Sequence, residues 1–270
     1  MKQSVLFLFV SIVIYACSSS KPYSKTNKQY KKQAAAYAAI LKAYPLKDSA
    51  GLPYAVDFVG TTNFSMRKPN YVVIHHTAQN SCEQTLKTFT LPRTQVSSHY
   101  VICKDGTVHH MLNDLLRAHH AGVSKWGNTT DLNSSSIGIE IDNNGSEAFT
   151  DAQIGSLQTL LGRLKNAYQI PTGNFIGHAD IAPGRKVDPN NHFPWQQLAG
   201  NGFGYWYDTT NVQVAPGFDP LQALRIVGYN IAKPQAAIQS YRLHFTPQDS
   251  SKTLNESDKK ILASLMAKYQ

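Results

Sequence analysis

Five short apolar runs, separated by segments of helical period, leave this chain few folds to choose from. Tyr71-Val72-Val73-Ile74-His75 lies between Pro69-Asn70 and Thr77 and reads as a buried strand. His99-Tyr100-Val101-Ile102-Cys103 and Thr107-Val108-His109-His110-Met111-Leu112 flank Lys104-Asp105-Gly106, the signature of a hairpin. Ser136-Ile137-Gly138-Ile139-Glu140-Ile141 and Asn174-Phe175-Ile176-Gly177-His178 complete the set. Between them, Cys82 to Phe89 has helical period, and Thr150 is placed to N-cap a helix running to Tyr168. Strands and helices alternating in this order predict an α/β fold, a mixed central sheet flanked by helices.

The flanks predict further parts. Gly200 to Tyr207 is glycine-rich and aromatic, and 206–217 reads as a linker. Pro220 to Gly228, Pro234 to Phe245 and Glu256 to Tyr269 then carry apolar residues at helical spacing, so 218–270 is expected to form a small C-terminal helical domain behind a main domain at 48–205. Residues 18–47 read as a tether containing a helix from Gln33 to Tyr44. At the start, Lys2 precedes the apolar run Val5 to Ile14, too short to span a bilayer, and Tyr15-Ala16-Cys17 leads into Ser18-Ser19-Ser20-Lys21. That order resembles a bacterial lipoprotein signal over 1–17. The resemblance implies cleavage before Cys17, lipid attachment to its thiol and a membrane anchor in the cell envelope. No aspartate follows Cys17, which by analogy directs the protein to the outer membrane, facing the periplasm.

The formal charge of +9 suits an anionic partner. Export argues against nucleic acid, leaving an acidic cell-wall polymer as the expected one. Cys82 and Cys103 form no CxxC pattern; they either pair in an oxidising compartment or stay as buried thiols.

Chemistry concentrates in Gly177-His178-Ala179-Asp180-Ile181-Ala182-Pro183-Gly184-Arg185-Lys186-Val187-Asp188-Pro189, where prolines and a glycine stiffen a loop holding a histidine, two aspartates, an arginine and a lysine. Imidazole and carboxylate suit Zn²⁺, and a catalytic zinc site takes three protein ligands and keeps one position open. His178 and Asp188 could supply two. His75 and His76 end the first strand, where alternation lets only one of them face a given site.

Ile74-His75-His76-Thr77-Ala78, Ser97-Ser98-His99-Tyr100, His120-Ala121-Gly122, Ser136 to Glu140 and His178 to Pro189, in that order, together resemble the zinc-dependent N-acetylmuramoyl-L-alanine amidases of the type 2 amidase family. The similarity covers roughly Tyr71 to Trp195, and the tail around Ile238 to Phe245 is similar to a peptidoglycan-binding domain found in outer-membrane lipoprotein members. The resemblance implies one Zn²⁺ per chain on His75, His178 and Asp188, with His76 a neighbour. It implies Glu140 as general base and Lys186 as the cation that stabilises the oxyanion. His99, His120 and Arg185 are expected at the substrate, although His119 stands where a tryptophan is common. The implied reaction is hydrolysis of the amide between the lactyl group of N-acetylmuramic acid and L-alanine, in peptidoglycan or muropeptides. A non-catalytic peptidoglycan-binding receptor and a zinc peptidase cutting within the stem peptide are the alternatives.

Overall fold

The computed structural model describes residues 21–43 and 59–270. The signal at 1–17 and the lipidation candidate Cys17 lie outside the described residues. Two compact units divide the chain, Met1–Phe64 and Ser65–Gln270. In the first, helix α1 spans Ser24–Lys42. It begins well before Gln33 because Lys25, Lys28, Lys31 and Lys32 are straight-chain residues that a helix accepts readily without an apolar stripe to announce it. Among the described residues, no helix is long and apolar enough to cross a membrane.

The second unit opens with strand β1 (Tyr71–His76), helix α2 (Cys82–Thr90) and the hairpin β2 (Tyr100–Ile102) and β3 (Val108–His110). The one-turn helix α3 (Leu132–Ser135), strand β4 (Ser136–Ile141), helix α4 (Asp151–Tyr168) and strand β5 (Phe175–Gly177) follow. One-turn α5 (His178–Ile181), α6 (Trp195–Gly200), α7 (Pro220–Val227), α8 (Pro234–Phe245) and α9 (Glu256–Tyr269) complete it. The sheet order is β3-β2-β4-β1-β5. β1 runs parallel to β4 and β5, β4 parallel to β2, and only the β2–β3 hairpin is antiparallel.

Period-two alternation divides the sheet between two cores. Val72 and Ile74 of β1, with Ile137, Ile139 and Ile141 of β4, face α4, which packs Ile154, Leu157, Leu161 and Leu164 against them. Spacings of three and four put those residues on one stripe, each worth roughly 1.5–3 kcal/mol when fully buried. Thr150 caps α4 in a reciprocal box with Gln153. On the opposite face, Val73 and Ile176 share a cluster with Trp126, Leu132 and the apolar sides of α7, α8 and α9.

That sharing corrects the expected division of the tail. The three helices form as anticipated, but Trp206 and Tyr207 of the supposed linker pack into the same cluster, and 218–270 belongs to the same compact unit as the sheet. The cause is simple: a sheet buried on both faces needs a second helical layer, and among the described residues the tail supplies it.

Cys82 and Cys103 are joined in a disulfide, Cα atoms 5.3 Å apart, fastening the start of α2 beside the end of β2. The bond closes a loop of sequence separation 21, which by chain entropy corresponds to about 3 kcal/mol. A Cys82→Ala/Cys103→Ala variant is therefore expected to melt about 6–12 °C lower, at 2–4 °C per kcal/mol for a unit of this size. Unchanged calorimetric melting would show that the covalent tie contributes nothing.

Candidate active site

The site forms where three elements end on the face of the sheet turned away from α4. Register pairs His75 of β1 with Glu140 of β4, and parallel partners point the same way. Ile74 pairs with Gly177 of β5, so the next residue, His178, emerges beside His75 as the first residue of α5. Asp188 is brought back by its own carbonyl, which accepts the Ala179 N–H at 2.8 Å and closes the loop onto α5. These are the carboxyl ends of parallel strands, where α/β sheets place their ligands.

His75 Nδ1 lies 2.9 Å from His178 Nδ1, and each is 3.0 Å from Asp188 Oδ2. Tracing the protons shows what these contacts are. Ser136 Oγ donates to Leu132 O, so it accepts from His120 Nε2 at 3.2 Å. The unprotonated His120 Nδ1 then accepts from His75 Nε2 at 3.0 Å. His178 Nε2 donates to Ala121 O at 3.1 Å. Both Nδ1 atoms are left as bare lone pairs beside a carboxylate oxygen. Three acceptors then converge with no hydrogen between them, a grouping that could hold a cation.

The donor set fits zinc. Three ligands about 2.0–2.1 Å from one ion at tetrahedral angles stand about 3.3 Å apart, close to the separations found here. Burial and the neighbouring His178 push the His75 pKa down to about 4, so its imidazole is neutral. Burial alone would raise the Asp188 carboxyl, but the closeness of His178 and His75 outweighs it and holds the group well below the usual carboxylate range. Neutral imidazole and ionised carboxylate are the states a metal requires. A second cluster, Cys82, Cys103 and His109, has comparable spacing, but its sulfurs are bonded to each other.

Glu140 is partly buried beside this triangle and makes no hydrogen bond or ion pair among the described residues. Burial first, and the Asp188 charge second, raise its pKa well above the ordinary glutamate value, while the Lys186 ammonium pulls the other way. Lys186 thus acts electrostatically on the site from the loop. His76, on the opposite side of β1, accepts the Asn190 N–H at 3.1 Å and does not join the triangle.

The three residues expected at the substrate are placed differently. His120 is buried beneath His75, held between His75 and Ser136, where it fixes the His75 tautomer. Its ring fills the space over Gly138, where an added Cβ would come within 2.5 Å of it. His99 is 0 % exposed, accepting the Gly138 N–H and donating to Leu116 O, both at 3.0 Å. Arg185 spends its guanidinium on Ala121 O and Val123 O, at 2.9 and 2.6 Å, so it braces the loop. Sequence reading gave Ser136 no role of its own, although it opens the Ser136 to Glu140 motif and lies on the Gly138 and Glu140 face of β4.

Two expectations follow. Exchanging His120→Phe keeps the ring and removes the acceptor for His75 Nε2–H; Zn²⁺ affinity should fall roughly 10–100-fold in competition with a chelating dye, and unchanged affinity would discard the relay. The raised Glu140 pKa makes the second a matter of pH. Below the ordinary glutamate value of 4.5 both folded and unfolded states hold the proton. As pH rises past it the unfolded chain ionises first, so the native state loses stability up to the folded pKa. Metal-free Glu140→Gln should hence melt higher than the parent at pH 7, by about 2 °C or more, with the gap closing near pH 4; a lower melting point at pH 7 would contradict the assignment.

Comparison with known proteins points one way. Residues 65–191, which contain every residue of the triangle together with Glu140 and Lys186, match the family model described as N-acetylmuramoyl-L-alanine amidase. N-acetylmuramoyl-L-alanine amidase AmiD of Escherichia coli is 33% identical over 231 residues, covering 73% of this chain and 82% of that protein. The 1,6-anhydro-N-acetylmuramyl-L-alanine amidase AmpD of Haemophilus influenzae is 38% identical over 104 residues, 38% of this chain and 56% of its own. Among solved structures, E. coli AmiD in complex with the substrate anhydro-N-acetylmuramic acid-L-Ala-D-gamma-Glu-L-Lys superposes with a TM-score of 0.68 at 30% identity, over 80% of this chain and 96% of that one. AmpDh3 of Pseudomonas aeruginosa gives 0.68 at 28% identity, over 81% and 99%.

Proposed function

The chain belongs to the N-acetylmuramoyl-L-alanine amidase family, and on that premise we propose that it is a zinc hydrolase acting on the amide between the lactyl group of N-acetylmuramic acid and L-alanine. The observation that carries the zinc reading is the convergence of His75 Nδ1, His178 Nδ1 and Asp188 Oδ2 at 2.9–3.0 Å from one another. When bound there, Zn²⁺ supplies Lewis acidity toward the scissile carbonyl and the attacking water.

Glu140 is the base that takes the proton from the attacking water and returns it to the departing L-alanine amine. Its lack of other partners leaves the carboxylate free for this exchange, and a pKa raised by burial brings it toward the range where transfer in both directions is fast. Lys186 places a fixed positive charge near the oxygen that becomes negative in the tetrahedral state. His120 and Ser136 hold the His75 ring, and Ala121 O holds His178.

The substrates in view are peptidoglycan or its released muropeptides, since AmiD is solved with an anhydro-muropeptide and AmpDh3 with anhydromuramic pentapeptide. The proposed location is the cell envelope, with a lipid at Cys17 anchoring the protein to the outer membrane on its periplasmic side. The Cys82–Cys103 disulfide supports an oxidising compartment.

Digestion of purified sacculi and anhydro-muropeptides, read by mass spectrometry, tests the reading. Peptides beginning with a free L-alanine amine should appear, vanish with a chelator, and fall by about 10²–10⁴ in rate with Glu140→Gln while zinc stays bound. Cuts inside the stem peptide would make it a peptidase. Intact substrate with zinc bound would make it a wall-binding receptor.

A further inference from the structure

α5 is a single turn, His178–Ile181, yet its first residue has to hold an imidazole in place at the triangle. A helix that short has too few internal hydrogen bonds to fix its own orientation. Its outward bonds show what fixes it. Asp180 Oδ1 accepts from Tyr229 Oη at 2.8 Å, and Asp180 Oδ2 accepts from His244 Nδ1 at 2.8 Å and from the Gly177 N–H at 2.7 Å. Ser240 Oγ donates to Ala179 O, again at 2.8 Å. Tyr229, Ser240 and His244 all come from the C-terminal segment.

The donors are themselves constrained. Tyr229 follows Gly228, whose φ of +134° and approach to Trp126, 2.4 Å from where a Cβ would sit, admit no side chain. The Tyr229 ring then meets Trp126 edge-on at 5.0 Å. The His244 ring stacks on Trp195 at 3.9 Å and 14°. Asp180, at 1% exposure, is buried among them.

A carboxylate inside a core is expensive, and apolar residues of the same volume commonly give equal or greater stability. What the polar hub provides is a single allowed position for α5, because each donor fixes a distance and a direction. We propose that the C-terminal helices are part of the metal site, with Tyr229 and His244 acting as positioning residues that hold His178 through Asp180. This rests on the reading of His178 as a zinc ligand, and it gives the tail a task that does not depend on wall binding.

The test uses the full chain as parent, Tyr229→Phe, His244→Phe (which retains the stacking on Trp195), the double variant and His178→Ala. Zn²⁺ affinity is measured by dye competition, ligand geometry by the visible spectrum of the Co²⁺-loaded protein, and stability by metal-free melting. The double variant should lose roughly 10–100-fold in affinity and show altered Co²⁺ bands, with His244→Gln, which keeps a donor, recovering part of the loss. Affinity within about twofold of the parent and an unchanged spectrum would overturn the proposal, even with a lower melting point. If the double variant does not fold, Tyr229→Phe, the loss of one hydroxyl, decides by the same two readouts. A parent that binds zinc no better than His178→Ala would instead overturn the zinc reading beneath it.

Discussion

The parallel register of β1 against β4 is the constraint on which the site depends. Pairing His75 with Glu140 sets the proposed ligand and the proposed base side by side on one face. It also sets Val73 opposite Gly138 and Tyr71 opposite Ser136, so the same face carries the gap His120 fills and the hydroxyl that orients it. A slip of one residue would send Glu140 into the aliphatic layer under α4 and bring Ile139 beside the triangle. The register is held from the other side, because Val72, Ile74, Ile137, Ile139 and Ile141 can be buried against α4 only in this alignment. Core packing on one face thus positions the chemistry on the other.

Much of this was legible in the sequence, and for a definite reason. Strand runs, the hairpin, the capped helix and the three residues of the triangle are local signals: each is written in a few neighbouring residues or in a motif with fixed chain order. Alternation along Ile137-Gly138-Ile139-Glu140-Ile141 even indicated which residues share a face. What escaped depended on contacts between distant segments. His120 meets His75 across 45 positions and Ser136 across 16, so no window of sequence shows that its ring faces inward. Asp180 and Asp188 were both visible in one loop, but their different tasks are set by donors 49 and 64 residues away from Asp180. The tail looked detachable because its helical period announces an apolar side without saying what that side covers.

The two hydrogen-bonded supports under the histidines follow one rule. A neutral imidazole has one proton, and whichever nitrogen carries it cannot bind a metal. His75 gives its proton to His120 and His178 gives its own to Ala121 O, so both present Nδ1. Arg185 shares that Ala121 carbonyl, pinning the acceptor as well as the loop. His120 and Arg185, two of the residues expected at the substrate, thus spend their side-chain hydrogen bonds on holding the two histidines and their loop.

Such a site is costly to the metal-free fold. Two bare imidazole nitrogens and a carboxylate face one another at 2.9–3.0 Å, and each buried acceptor without a donor costs about 1–3 kcal/mol. Glu140 adds to this, since its raised pKa is itself a statement that ionisation disfavours the native state. These groups cannot relax apart: β1 and β4 are locked by the aliphatic layer, and α5 is gripped from the tail. A divalent cation removes the conflict among the acceptors and lowers the cost of ionising Glu140 at the same time. Metal binding should accordingly appear as fold stabilisation, about 4 kcal/mol at a thousandfold excess over the dissociation constant. Rigidity that keeps unfavourable groups together without the ion is the same rigidity that makes them a site with it.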